Sequence, residues 1–451
     1  MRHVIIGNGP TGVIAAETIR KHDPSSEVLL VGDEPEPPYS RMAIPYLLIG
    51  NVGEPGTYLR KDDDHFARLR IELKRDRVQR IDTASRKVFL EDGSARDYDR
   101  LLIASGCSPV APPIPGINLP GVHSCWTLED ARHIAEIAKP GARVLQMGAG
   151  FIGCIILEAL ASRKVELTVV EMGNRMVPRM MTEGAGALIK KWCERQGVKV
   201  YTSTKVTAIE STEEESKGTI ASATQWVAEK LGARAGAPLK VSLDNGEALI
   251  VDLVISATGV KPNTAFLQGS GIAVDVGVSV DERMQTNVAS VYAAGDVAQA
   301  EEFNTGDRIV NAIQPNAADQ AQIAALNMVG KPNRSLGTMA INVLDTLGLI
   351  SSSFGQWMGV PGGEQAELID EENFRYLSLA FKDDVLVGAT SLGLTQHVGI
   401  LRGLIQSRIR LGAWKDRLLK DPTRIVEAYL ACTQGGVQIP GAAIGKPFAV
   451  A

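Results

Sequence analysis

A glycine-punctuated pattern occurs twice in this chain and limits the fold more than any other feature. Residues 3–12 read HVIIGNGPTG, and residues 144–153 read VLQMGAGFIG. Each is an apolar run, then closely spaced glycines, then apolar residues at helical spacing. The copies lie too far apart for a solenoid repeat, which points to a duplicated domain. In the first, the pattern predicts a strand at 3–7, a helix over 10–22 and a strand at 27–31. In the second, it predicts a strand at 143–147, a helix over 151–163 and a strand at 165–170. Such a β-turn-α-β order closes with a right-handed crossover and gives parallel strands. The expected class is α/β, with two Rossmann-like dinucleotide-binding domains.

The glycines have separate tasks. In Gly7-Asn8-Gly9-Pro10-Thr11-Gly12, Gly7 permits the tight turn and Gly9 lets the backbone approach a pyrophosphate. Gly12 lets helix and strand pack closely, and the helix N-terminus, which Pro10 and Thr11 open (Pro10 without an N–H of its own), offers free N–H groups and partial positive charge to phosphate. An acid after the next strand should hold the adenosine ribose. Gly32 ends that strand, leaving Asp33 or Glu34, with Asp33 favoured; either also suits a solvated turn.

Gly148-Ala149-Gly150-Phe151-Ile152-Gly153 is the second fingerprint, and its following strand ends in Glu171, near the spacing of about 20 residues that the pattern requires. A carboxylate there accepts both ribose hydroxyls of NAD and repels the 2′-phosphate of NADP; a capping acid is the plainer alternative. Ala294-Gly295-Asp296 ends a further strand, where an Asp can accept from a polyol hydroxyl or form an Asx-turn or N-cap.

A length of 451 residues suggests more than one domain, and 45% hydrophobic with 22% charged residues is ordinary globular composition. The net charge of −5, without a run of Lys or Arg, argues against nucleic acid or anionic membrane as partner. Cys107, Cys125, Cys154, Cys193 and Cys432 are odd in number and lack C-x-x-C or C-x-x-x-x-C spacing. A disulfide framework, a zinc site and a chain-borne iron–sulfur cluster are not expected. No apolar run reaches the ~18 residues of a membrane span. The chain opens Met1-Arg2-His3-Val4 on a predicted strand, without room for a signal peptide. A cytoplasmic location is expected.

VAPPIPGINLPG (110–121) reads as an inter-domain connector. From about 338 the character changes: INVLDTLGLISSSFG and YLSLAFKDDVLVGAT suggest antiparallel hairpins, followed by a helical tail over 397–430. Residues 212–240 are polar and rich in small residues, and read as an excursion from the second dinucleotide domain, partly helical at TQWVAEKLGARA.

Taken in order, the first fingerprint, Pro38-Tyr39-Ser40-Arg41, Ala104-Ser105-Gly106, the second fingerprint, Ala257-Thr258-Gly259-Val260-Lys261-Pro262-Asn263 and Gly295-Asp296 resemble the FAD/NAD(P)-dependent pyridine nucleotide-disulfide oxidoreductase family. Its relatives include rubredoxin and ferredoxin reductases and the FAD part of assimilatory nitrite reductase. The resemblance is strong over about 1–330 and loose over 338–451. It implies FAD on the first fingerprint and NAD(P)H on the second, where Glu171 favours NAD. It also implies an FAD domain of residues 1–112 and 260–335, split by an NAD domain of 113–259; the change of pattern at about 338 is itself read as a separate C-terminal α+β interface domain, 336–451. By the same resemblance Arg41 lies beside the flavin or its phosphates, or forms a surface salt bridge. Gly106 and Gly259 line the turns where the domains exchange chain. Val78 lies near the adenine, or is an ordinary strand-core valine.

The chain departs from that family in three places. Met42-Ala43-Ile44-Pro45-Tyr46 carries no cysteine where relatives that act on coenzyme A disulfide or peroxide have one. The Lys of the family's Lys–Glu pair near the flavin falls on Tyr46, and the Glu falls on Ile155, so both halves are missing together. Losing both is physically sensible, because one buried charge without the other is costly. Tyr46 either donates a hydrogen bond or packs. No catalytic His-Glu pair is recognisable in the tail, where His397 is isolated and is read as packing or capping a helix.

Hydride transfer between two bound cofactors needs positioning and no catalytic base. Without a thiol relay, electrons are expected to pass to an iron–sulfur protein or subunit. Residues 39–48 look like the FAD subunits of tungsten aldehyde oxidoreductases and phenylglyoxylate dehydrogenases. The basic helix Arg402–Arg410 and Arg417–Lys420 suit a docking surface, a solvated face or a homodimer face equally. The alternatives are a stand-alone NADH oxidase or small-molecule reductase, and a nucleotide-binding redox sensor.

Overall fold

The computed structural model describes residues 1–212 and 237–434. The strand Arg2–Ile6 is buried from His3 onward and lies in the middle of a five-stranded sheet. Across that sheet the order is 291–293, 100–103, 2–6, 27–32, 71–75, all parallel. Ile5 faces Leu30 on one side and Leu102 on the other. Runs such as Val28–Val31 are continuously apolar because both faces of the sheet are covered. The helix Pro10–His22 buries Val13, Ala15, Ala16 and Ile19 in this core. The helix Gln314–Met328 packs along it and buries Ala317, Ala321, Ala324 and Ala325.

A second parallel sheet repeats the arrangement in the order 199–201, 166–170, 143–147, 253–256, 122–123. In both sheets the strand before the glycine turn is central. The outermost place beyond the fourth strand is filled differently. In the first sheet a late strand, 291–293, takes it; in the second an early one, 122–123, does. The chain therefore leaves the first sheet after 100–103 and returns to it at 291–293. Short antiparallel strands at 107–109 and 260–262 pair with each other on the outward and return passes.

The chain divides into two compact units, residues 1–178 with 193–340, and residues 179–192 with those from 341 onward. In the second, five antiparallel strands run in the order 341–346, 349–355, 385–392, 375–382, 364–370. The first hairpin turns at Leu347-Gly348, with φ of 54° and 84°. Two positive φ values are what a two-residue turn needs to match strand twist. The strand 364–370 has no counterpart in the sequence reading. Residues 179–192 join this unit, where the sequence placed them with the second dinucleotide domain. Their ties are long-range: Thr182 Oγ1 donates to Tyr376 Oη at 2.5 Å, and Trp192 Nε1 to the Leu347 carbonyl at 3.1 Å.

The helical tail forms as three helices, Val398–Ser407, Ala413–Lys420 and Ile425–Gln434. Arg408 has φ of 50° and ends the first, so the expected basic helix Arg402–Arg410 is helical only to Ser407. His397 occupies the N-cap position, where its carbonyl accepts from the Ile400 and Leu401 N–H groups; its side chain is exposed and makes no cap bond, so it caps through its backbone and does not pack. Most of the 212–240 excursion, residues 213–236, lies outside the described residues. No helix among the described residues is long and apolar enough to cross a membrane.

Candidate functional site

At the end of the first central strand Gly7 turns with φ of 111°, and its N–H donates to the Val31 carbonyl at 2.7 Å. A Cβ on Gly7 would stand 2.1 Å from the Ala104 carbonyl oxygen, and one on Gly12 would stand 1.8 Å from the Gly7 oxygen. Gly9 differs: it caps the helix in extended conformation, and a Cβ there meets nothing within 4 Å. Packing thus demands the two outer glycines and leaves the middle one open. Pro10 opens the helix, and its first turn carries no acid.

Three further segments converge on this helix start. A Cβ on Gly295 would lie 2.4 Å from Thr11 Oγ1, so the Ala294-Gly295-Asp296 turn rests on Thr11. The Gly295 N–H donates to Gln320 Oε1 at 2.8 Å, which ties the turn to the helix 314–328. The strap Ala104-Ser105-Gly106 is clamped to Asn263: Ser105 Oγ donates to the Asn263 carbonyl, and Asn263 Nδ2 to the Ser105 carbonyl, both at 2.9 Å. Cys107 Sγ donates to Asp296 Oδ2 at 3.5 Å. Burial pushes the Asp296 carboxyl up from its ordinary range, while the Cys107 thiol and the Arg41 charge pull it down. Burial, then the Asp296 charge, pushes the Cys107 thiol up, so it stays protonated at neutral pH.

The two candidate ribose acids part company. Asp33 is exposed and pairs with Arg77 at 3.0 Å. Glu34 is half-buried and accepts from Arg41 and the Tyr39 hydroxyl. Arg41 also donates to the Trp126 carbonyl at 2.7 Å, with its guanidinium 5.4 Å from the Trp126 ring centre. Val78 is 8% exposed in a small antiparallel sheet of strands 78–82, 87–90 and 95–97. Tyr46 lies on the short helix Ile44–Ile49 with 56% exposure, so it is no core packing residue.

The second cradle has the same build. Gly148 turns with φ of 93°, and a Cβ would stand 2.4 Å from the Ala257 oxygen. One on Gly153 would stand 2.5 Å from the Gly148 oxygen, and one on Gly150 meets nothing within 4 Å. Phe151 and Ile152 start the helix Phe151–Ser162, again without an acid in its first turn. Glu171 is 9% exposed and turned toward the cradle. Its Oε2 accepts from the Ala149 N–H and its Oε1 from the Gly173 N–H, each at 2.7 Å. Gly259, with φ of 122°, accepts from the Val110 N–H at 2.9 Å where the chain passes between the sheets.

Both cradles suit a pyrophosphate: an open middle glycine and a helix start with no acid in its first turn. Trp126 Nε1, on the residue whose carbonyl accepts from Arg41, and Asn316 Nδ2, at the start of the helix that carries Gln320, are buried donors without a partner among the described residues. Buried donors are normally satisfied, so these two fit a polar ligand. Sequence reasoning missed Cys107, Trp126, Asn316 and Gln320. The only local signal was Gln314-Pro315-Asn316, a proline at a helix start.

Residues 1–322 match the family described as pyridine nucleotide-disulphide oxidoreductase. The chain is 31% identical over 436 residues to the NADH-dependent phenylglyoxylate dehydrogenase subunit epsilon of Aromatoleum evansii, covering 96% of this chain and 98% of that one. It is 29% identical to the NADH oxidase of Methanocaldococcus jannaschii, over 73% of this chain and 70% of that one. Among solved structures, a chain of the covalent putidaredoxin reductase–putidaredoxin complex matches with a TM-score of 0.84 at 23% identity, covering 96% of this chain and 98% of that chain. That last likeness speaks for the fold.

Proposed function

The chain belongs to the pyridine nucleotide-disulphide oxidoreductase family, and from that premise we propose an NAD(H)-dependent FAD enzyme that exchanges electrons with an iron–sulfur partner. The observation that carries this reading is the pair of glycine cradles, each at the end of a central strand and each open at its middle glycine. A bound flavin supplies the conversion between two-electron hydride chemistry and one-electron transfer.

The chain's own residues bind and orient. Gly7, Gly9, Pro10, Thr11 and Gly12 hold the FAD pyrophosphate, and Asp296 accepts from a ribityl hydroxyl. Arg41, fixed by Glu34 and the Trp126 carbonyl, keeps a planar cation near the anionic cofactor. Gly148 to Gly153 hold the nicotinamide dinucleotide. Glu171 is anchored by two backbone N–H groups and keeps lone pairs for ribose hydroxyls. Its charge opposes a 2′-phosphate, which favours NAD over NADP. We read residues 1–112 with 260–335 as the FAD domain, 113–259 apart from 179–192 as the NAD domain, and 336–451, which 179–192 join, as the interface domain.

Hydride transfer needs the two rings held about 3–3.5 Å apart in a dry site, and no base. No cysteine lies in 42–46 and no C-x-x-x-x-C pair occurs in the sequence, so the second half-reaction uses no thiol relay of that kind. The Aromatoleum relative is named as a subunit of a larger dehydrogenase. That supports a place for this chain in a multi-subunit complex. The Methanocaldococcus relative supports a second reading, an NADH oxidase. Reoxidation of the NADH-reduced protein separates them. Slow reaction with oxygen and fast reaction with an iron–sulfur protein supports the first. Fast stoichiometric oxygen consumption by the isolated chain supports the second and rules out the first.

A further inference from the structure

We propose that Cys107 is a positioning residue for the flavin site, whose thiol donates to Asp296 and holds that carboxylate for a ribityl hydroxyl. The inference rests on the reading above that Asp296 faces FAD.

Cys107 is 6% exposed and begins the short strand Cys107–Pro109. Its backbone is fixed from both sides, by antiparallel pairing with 260–262 and by the bond from the Asn263 N–H to the neighbouring Gly106 carbonyl at 3.0 Å. Asp296 is fixed as well, because Gly295 is held by Gln320 and rests on Thr11. The thiol therefore meets the carboxylate between two backbones held by these bonds, at 3.5 Å, an ordinary length for a sulfur donor. It engages Oδ2 alone. Among the described residues Oδ1 has no hydrogen-bond partner, which leaves it for a ligand hydroxyl.

The charged and titratable groups that act on Asp296 are Cys107 and Arg41, and both favour its ionised form against burial. An ionised carboxylate accepts from a hydroxyl on either oxygen; a protonated one gives up part of that capacity. Removing the thiol leaves burial less opposed, so Asp296 takes up its proton at a higher pH. The thiol itself stays protonated and buried, so its role is hydrogen bonding without redox chemistry.

The test is FAD titration of the apoprotein across pH for wild type, C107S, C107V and C107A, with C107V also placed on D296N. Loss of a net bond of about 1 kcal/mol predicts roughly five-fold weaker FAD binding in C107V and C107A. Both should also release FAD at a higher pH than wild type. C107S keeps a donor and should hold FAD like wild type. On D296N, C107V should cost nothing further. Wild-type FAD binding in C107V, a C107S that falls with C107V, or an equal penalty on D296N overturns the proposal. A wild type that takes up no FAD overturns the flavin reading itself.

Discussion

Replacing Gly150 with alanine adds one methyl group where the second cradle is open. The backbone there has φ of −75° and ψ of −169°, which alanine adopts freely, and the new Cβ meets no atom within 4 Å. Two small effects on stability oppose each other. Less freedom in the unfolded chain stabilises by about 0.4–1 kcal/mol, while alanine is the poorer N-cap by a similar amount. The thermal midpoint should stay within a few degrees of wild type. Binding is another matter, because the middle glycine is where backbone approaches pyrophosphate. An intruding methyl costs about 1–3 kcal/mol, or roughly five- to 150-fold in Kd. The assay is anaerobic titration of the flavin-loaded variant with NADH, alongside flavin content and melting temperature. A folded, flavin-loaded Gly150→Ala protein with wild-type NADH affinity would refute the assignment of this cradle.

Gly12→Ala should behave in the opposite way, since its Cβ falls 1.8 Å from the Gly7 oxygen. It is expected to cost about 3 kcal/mol or more, read as a lower denaturation midpoint. Glu171→Gln sets an amide N–H₂ against one of two backbone N–H donors. It should cost about 1–3 kcal/mol in stability and lower the ratio of kcat/KM for NADH over NADPH. His3 is 1% exposed, and burial lowers its pKa from 6.5 to about 4. The unfolded chain therefore takes up a proton below pH 6.5 that the folded chain refuses. Stability should fall as pH drops from about 6.5 towards 4, by up to about 3 kcal/mol. Denaturant midpoints of wild type and His3→Leu across that window check it, and the variant should lose this slope.

The parts of the fold visible in the sequence were those specified by neighbours in the chain. Strand, glycine turn, helix and strand follow one another within about 30 residues, and the hairpin at Leu347-Gly348 is equally local. The parts not visible depend on distant partners. Asp33 and Glu34 are adjacent acids, and what separates them is Arg77 on one side and Arg41 with Tyr39 on the other. Nothing near residues 179–192 announces that Tyr376 and Leu347 will draw them into the C-terminal unit. Cys107 and Asp296 meet only because the chain leaves the first sheet and comes back, which spacing alone does not reveal. The Tyr46 and Ile155 positions were readable only through the pattern of relatives.

Hydride passes between the two nucleotides only if this one chain holds them close together. The direct measurement is anaerobic: the purified, flavin-loaded protein is mixed with NADH or NADPH, and the visible flavin absorption is followed. Fast bleaching with NADH and much slower bleaching with NADPH is the predicted result. A flavin that stays oxidised in the presence of excess NADH would contradict the account.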